Sequence, residues 1–343
     1  KDGKSGWQGC NLTEINGGMC NTEEDFYKAC RAASILGTLQ AGYTDFKFLS
    51  DTSKKIFDRE ALLGVSITGW MNNPEILFNK KILEKGAEIV KQVNREVAAI
   101  IGINPAARTT CVKPSGNASV LLQTASGIHA EHSKMYIRNV QMNKESEITQ
   151  AIIKTNPYMV EESVWSAGGT DVVVSFPILP KKGSMYKDDL LGVKHLELVK
   201  KAQKHWVEAG TNEELCADKG VRHNVSNTII VDDWDNVERY VFENRHSFAG
   251  ISFLAMSGDK DYNQAPNTAV ITAKQMVKKY GDAAIFASGM VVDALKCFNN
   301  LWDACSTAKG FGEDISLETS ENAIKRDWVR RFGKFADNYL DSD

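Results

Sequence analysis

Apolar positions along this chain switch repeatedly between a period of about two and a period of 3.6, and each switch marks an element. The stretch 10–15 predicts a strand. Asn21 follows as an N-cap, with Glu24 placed to return a capping-box bond. Phe26, Ala29, Cys30, Ala33 and Leu36 then recur at helical spacing. A buried strand is predicted at 62–69. Asn73-Pro74 joins an N-cap to a proline at the first helical position, and Ile82, Ala87, Ile89, Val90, Val93, Val97 and Ile101 carry one apolar face to Gly102. Further strands are predicted at 108–113, 171–178, 224–231 and 249–255. Pro177 and Pro180 end the second of these. Helices are predicted at 188–208, stopping at Gly210, and at 234–245, 272–280, 283–308 and 320–340. No segment repeats at a fixed period.

Strands alternating with helices predict an α/β fold, a parallel sheet covered by helices. The pattern alone does not separate an open sheet from a barrel. The organisation expected over 1–343 is strands and helices to about 270, then a helical part over about 271–340.

Composition narrows the function. At 343 residues and 43% hydrophobic content, the chain can bury a large core. A formal charge of −3 gives no basic surface for nucleic acid. No apolar run approaches the roughly 18 residues that span a bilayer, so no membrane partner is expected. Lys1-Asp2-Gly3-Lys4-Ser5 lacks the apolar stretch of a signal peptide. Seven cysteines form no disulfide framework and no paired CxxC, so no metal is expected. Buried free thiols in a reducing cytoplasm are the expectation for all but Cys10.

The chemistry concentrates in Arg108-Thr109-Thr110-Cys111-Val112-Lys113-Pro114-Ser115-Gly116-Asn117-Ala118-Ser119. It reads as a buried strand that breaks at Pro-Ser-Gly and enters a helix. Such a turn aims unpaired N–H groups and the helix dipole at one spot, which suits a phosphate. No G-x-x-x-x-G-K-[ST] occurs, so it is not a Walker A loop. The plainer reading is that Gly116 permits a tight turn while Ser115 or Asn117 caps a helix. Lys113 either adds charge or points outward. Cys10 is either a reactive thiol or a small buried hydrophobe, and Cys20, Cys30 and Cys111 read as core. Cys297 and Cys305, eight apart on a predicted helix, read as interior. His129 either approaches a ligand or is a surface histidine. Glu14, four residues after Cys10, receives no role.

These blocks together resemble the C-terminal half of a ribonucleotide reductase catalytic chain. The resemblance rests on Gly9-Cys10-Asn11-Leu12-Thr13-Glu14-Ile15, the Pro-Ser-Gly turn, Leu63-Gly64-Val65-Ser66-Ile67-Thr68-Gly69-Trp70 and His223-Asn224-Val225-Ser226-Asn227-Thr228-Ile229. It continues through Gly250-Ile251-Ser252-Phe253-Leu254, Tyr262-Asn263-Gln264-Ala265-Pro266 and Asn299-Asn300-Leu301-Trp302, in the family's order. The flavour is the adenosylcobalamin-dependent, phage or monomeric-type branch.

The resemblance implies a ten-stranded α/β barrel built from two five-stranded halves. This chain would be the second half with C-terminal helices, starting just after the finger loop that carries the radical cysteine. It implies that Cys10 is one of two redox cysteines. Ser115, Gly116, Asn117, Ala118 and Ser119 would bind substrate phosphate. The radical cysteine lies in an Asn-x-Cys-x-Glu motif in the family, and no such motif occurs here. A partner chain carrying the N-terminal half is therefore expected, with a ribonucleotide di- or triphosphate as substrate. A thiol reductant such as thioredoxin or glutaredoxin is the further expected partner. The segment Ala294–Trp302 lacks the tyrosine pair of metal-dependent relatives, which favours adenosylcobalamin as cofactor. Alternatives are a non-catalytic nucleotide-binding or assembly module on the same fold, and an α/β phosphotransferase.

Overall fold

The computed structural model describes residues 5–256 and 264–269. The helices predicted at 272–280, 283–308 and 320–340, Cys297, Cys305 and the 299–302 block lie outside the described residues. Two compact units divide the chain: 1–131 with 181–256, and 132–180 with 257–343.

In chain order the described elements begin with β1 (Leu12–Asn16), α1 (Glu23–Ala41), α2 (Asp51–Glu60) and β2 (Gly64–Thr68). Next come α3 (Pro74–Leu77), α4 (Lys80–Ile101), α5 (Gly116–Leu121), β3 (Tyr136–Asn143), α6 (Glu147–Thr155), β4 (Val160–Glu162) and β5 (Asp171–Ile178). The last are α7 (Gly192–Ala202), β6 (Thr228–Val231), α8 (Trp234–Glu243), β7 (Ser252–Ala255) and β8 (Asn267–Ala269).

The first unit carries five extended segments side by side in chain order. β1 pairs parallel with β2, from Leu12 opposite Gly64 to Asn16 opposite Thr68. Parallel bridges join Val65 to Thr110 and Val112 to Val225. β6 then pairs parallel with β7. The predicted strand at 108–113 is thus present as single bridges rather than a continuous ladder. Its polar groups are drawn elsewhere: the Thr109 N–H and hydroxyl both donate to the Gly210 carbonyl, at 3.0 and 2.8 Å. The Trp206 indole N–H donates to the Cys111 carbonyl at 3.0 Å. Among the described residues no sheet closes on itself.

β2 is buried along its whole length, as the centre of a parallel sheet requires. α1 packs on β1 and β2 and α4 packs on α1, with Phe26, Cys30 and Trp206 fully enclosed. The capping box of α1 is Thr22 with Asp25, one residue after the predicted Asn21 and Glu24. Asn21 instead accepts a hydrogen bond from the Lys181 ammonium. Asn73 precedes α3, yet its carboxamide donates to the Gly17 and Cys20 carbonyls, so the short helix is uncapped. Asn79 restarts the chain as α4 by accepting from the Lys81 and Ile82 N–H groups. The single predicted helix is therefore two.

The second unit corrects the all-parallel expectation. β3 and β5 are antiparallel over eight pairs, and β4 and β8 extend the sheet in the order β4-β5-β3-β8, every pairing antiparallel. β5 occupies the predicted 171–178. Its partner β3 reads Tyr-Ile-Arg-Asn-Val-Gln-Met-Asn, too polar to announce a buried strand. Ile152, Met159, Val172 and Val174 form this unit's small core.

Candidate active-site face

Cys10 is exposed just before β1. Its position is fixed by neighbouring Asn11, whose side chain donates to the Leu62 carbonyl at 2.8 Å and whose carbonyl accepts from the Gly64 N–H at 2.8 Å. In this chain Cys10 therefore packs into no core. Cys20, Cys30 and Cys111 are buried as expected, and so is Cys216.

Cys10 shares a pocket of about 60 Å³ with Leu12, Cys111, Lys113, His223 and Asn224, among others. Gly64 makes this possible. A Cβ there would lie 2.7 Å from a Leu12 methyl and 3.0 Å from the Cys111 sulfur, so its absence lets the two side chains close over β2. Burial pushes the Cys111 thiol up to about 12, leaving it protonated. The His223 ring bonds the Thr110 carbonyl at 3.0 Å, and burial holds its pKa below the usual range.

Lys113 leads from this pocket into the Pro-Ser-Gly turn. Its N–H donates to the Ser66 hydroxyl at 2.9 Å, and Ser66 donates to the Glu14 carboxylate at 3.2 Å. Burial raises Glu14 to about 7, while the Ser66 and Ser115 hydroxyls favour its ionised form. Ser115 is in the left-handed region at φ 57° and does not cap α5 with its side chain. No group among the described residues completes a well-formed hydrogen bond to the buried Ser115 Oγ.

The remaining turn residues divide. Gly116, Asn117 and Ala118 form the first turn of α5, where N–H groups have no partner within the helix. A Cβ at Gly116 would meet nothing within 4 Å, so the fold itself does not require glycine there. Ser119 is buried, and its hydroxyl donates to the Gly116 carbonyl at 2.7 Å, which stiffens the turn from below.

The return of the loop is tightly held. Thr68 donates to the Ala125 carbonyl and accepts the Gly127 N–H, both at 2.9 Å. Asn72 accepts from the Thr124 hydroxyl and the Ala125 N–H at 2.6 Å, and donates to Glu131 and Ser184. His129 is half-buried and bonded through both ring nitrogens. Its Nε2 accepts the Thr228 N–H at 3.0 Å, so Nδ1 carries the proton and donates to the Ser126 carbonyl at 3.0 Å. It tethers the loop to β6 as a neutral ring, its pKa lowered by burial.

The structure thus brings Cys10 and Lys113 into one pocket and sets the turn directly beyond it. Sequence reasoning missed Glu14. The available signal was strand periodicity, because Leu12 and Glu14 lie two apart on β1 and share a face.

No known protein-family profile matches the chain. Over 205 residues, 58% of its length, the chain is 27% identical to a probable adenosylcobalamin-dependent ribonucleoside-triphosphate reductase of Dictyostelium discoideum. Its backbone matches the crystal structure of a B12-dependent, class II ribonucleotide reductase with a TM-score of 0.63, at 17% identity. This chain is similar to adenosylcobalamin-dependent ribonucleotide reductases. The reductase of Euglena gracilis, named for the same dependence, is 25% identical over 206 residues. The alignments cover 26% and 27% of the two curated reductases, so the chain corresponds to about a quarter of their length. The structural match covers 85% of this chain and 42% of the class II reductase.

Proposed function

We propose that this chain is the C-terminal part of a ribonucleotide reductase, converting ribonucleotides to 2′-deoxyribonucleotides by thiyl-radical chemistry. The observation that carries this reading is the shared face. An exposed Cys10 and Lys113, the residue that leads into the turn, line one pocket beside a parallel sheet, in a chain similar in fold to a class II reductase.

In this reading residues 115–119 take the substrate phosphate, with the N–H groups of Gly116, Asn117 and Ala118 facing the anion. Cys10 is one of two thiols that reduce the ribose. Each thiol gives up a proton and an electron, the 2′ hydroxyl leaves as water, a hydrogen replaces it, and the two sulfurs join as a disulfide. A thiol reductant such as thioredoxin or glutaredoxin then reopens that disulfide. The radical cysteine, its glutamate and the second redox thiol come from an N-terminal partner carrying Asn-x-Cys-x-Glu, which also completes the barrel.

Adenosylcobalamin is the cofactor this reading carries over from the relatives. The pocket beside Cys10, at about 60 Å³, is too small for a corrin, and the described residues offer no group of metal ligands.

The test is co-expression with the N-terminal partner, followed by assay of deoxyribonucleotide formation with dithiothreitol and adenosylcobalamin. Reduction that requires both chains is expected. An assembled complex that binds nucleotide and reduces none would instead mark an assembly module.

A further inference from the structure

The carboxylate of Glu14 occupies a place the reductase chemistry above does not use. Glu14 stands opposite Ser66 in the β1–β2 register. Ser66 is fully buried, and its hydroxyl relays between the Lys113 N–H and Glu14. Across this relay Ser115 brings a buried hydroxyl beside the same carboxylate, on a residue held at positive φ. That hydroxyl lacks a well-formed partner among the described residues. A half-buried carboxyl group, ionised above about 7, therefore sits beneath the turn that is to receive an anion.

Two like charges in such a site cannot both persist without cost. We propose that Glu14 is the resident anion of the 113–119 turn: an arriving phosphate-type dianion takes over the Ser115 hydroxyl, and a proton from solvent neutralises the displaced carboxylate. The proposal rests on the reading of 115–119 as the phosphate turn and adds its proton linkage. No bond other than the O–H of the carboxylic acid forms. The neutral acid then holds the relay by donating toward Ser66.

Other groups around Glu14 do not confuse the effect. Cys111, close enough to feel the Glu14 charge, keeps its proton because burial pushes it to about 12. The Lys113 side chain acts electrostatically on Cys111 and His223. Cys10, just before β1, is exposed. With Glu14 near 7 when the turn is empty, anion affinity should fall by up to about tenfold per pH unit above that point, the limit for one linked proton.

The experiment uses the full chain with Glu δ-carbon and backbone amide isotope labels, and inorganic sulfate as the probe, a dianion at every pH used. Wild type should show Glu14 titrating near 7, and sulfate should raise its midpoint. Sulfate affinity, read on the amides of Gly116, Asn117 and Ala118, should fall severalfold to tenfold from pH 7 to pH 8. Glu14→Gln should bind sulfate with little pH dependence, and more tightly than wild type at pH 8. The wild-type titration stands whether or not the variant folds. Sulfate shifts at those three amides without any movement of the Glu14 midpoint would overturn the proposal and leave the phosphate turn intact. A Glu14→Gln protein that keeps the wild-type pH dependence would overturn it in the same way. No sulfate response at those amides at any pH would remove the phosphate turn itself, and the linkage with it.

Discussion

Gly127 approaches Lys113 so closely that a Cβ on the glycine would lie 2.4 Å from the lysine carbonyl oxygen. The contact is backbone against backbone, so no side chain can swing aside. Gly127 is also at φ 53°, where an L side chain is strained. Gly127→Ala should therefore loosen the loop and cost about 1–3 kcal/mol, seen as a lower midpoint in urea. Gly116→Ala is the contrast, since a Cβ there meets open space. Its melting temperature should match wild type within a few degrees, while KM for the ribonucleotide rises in the assembled enzyme. A wild-type KM would leave Gly116 with no part in phosphate binding.

The two cysteines of the pocket should separate function from stability. Cys10 is exposed, so Cys10→Ser should change stability by no more than about 0.5 kcal/mol. Multiple turnover with dithiothreitol should nevertheless vanish. Cys111→Ser puts a hydroxyl into a fully enclosed site and should cost about 1–3 kcal/mol. Denaturant unfolding checks both, and full turnover in Cys10→Ser would remove it from the redox pair.

His195 predicts a pH dependence of folding. Its ring is buried, its Nε2 lies 2.9 Å from the Ile128 carbonyl, and desolvation lowers its pKa to about 4. Between about 4 and 6.5 the unfolded chain holds this proton and the folded chain does not. Stability from this site is therefore complete above 6.5 and is lost as pH falls toward 4, by about 3 kcal/mol at most. Glu14, raised to about 7, acts in the opposite sense, favouring the folded state below 4.5 and weakening it as pH rises to 7. The two partly cancel in wild type. Comparing His195→Gln with wild type at pH 5 and pH 7 isolates the histidine, and the stability difference should shrink or reverse at pH 5.

Asn72 should be the most costly polar residue to remove. Its carboxamide serves Thr124, Ala125, Glu131 and Ser184, all in buried positions. Asn72→Ala deprives the buried Thr124 hydroxyl and Ala125 N–H of their acceptor and should destabilise by about 3 kcal/mol or more. A loss below about 1 kcal/mol in urea unfolding would show that water replaces the network.

Much of the first unit was legible in the sequence because parallel strands buried on both faces read as unbroken apolar runs. Val65 and Ile67 announce β2 inside the predicted 62–69. In the second unit, Val172 to Ser175 announce β5, whose boundaries match the predicted 171–178. The order of the five parallel segments was legible too, through the motifs that mark them. Strand β3 and the antiparallel pairing were not, because β3 carries Arg138, Asn139 and Gln141, and pairing direction leaves no trace in hydrophobic period. Helix ends shifted where two capping patterns overlap, as at Asn21 and Thr22. The relay through Ser66 was hidden for a different reason. A serine inside an apolar run looks like an interruption, and only the register opposite Glu14 gives it a task.

That register has a consequence for how the chain reaches its native state. A one-residue slip of β2 would put Val65 or Ile67 where Ser66 stands, because neighbouring strand residues point to opposite faces. The Lys113 N–H and Glu14 would then each lose a partner, at about 1–3 kcal/mol apiece. Ser66 thus works as a proofreading mark, and a misaligned sheet is penalised at the place where the turn is assembled.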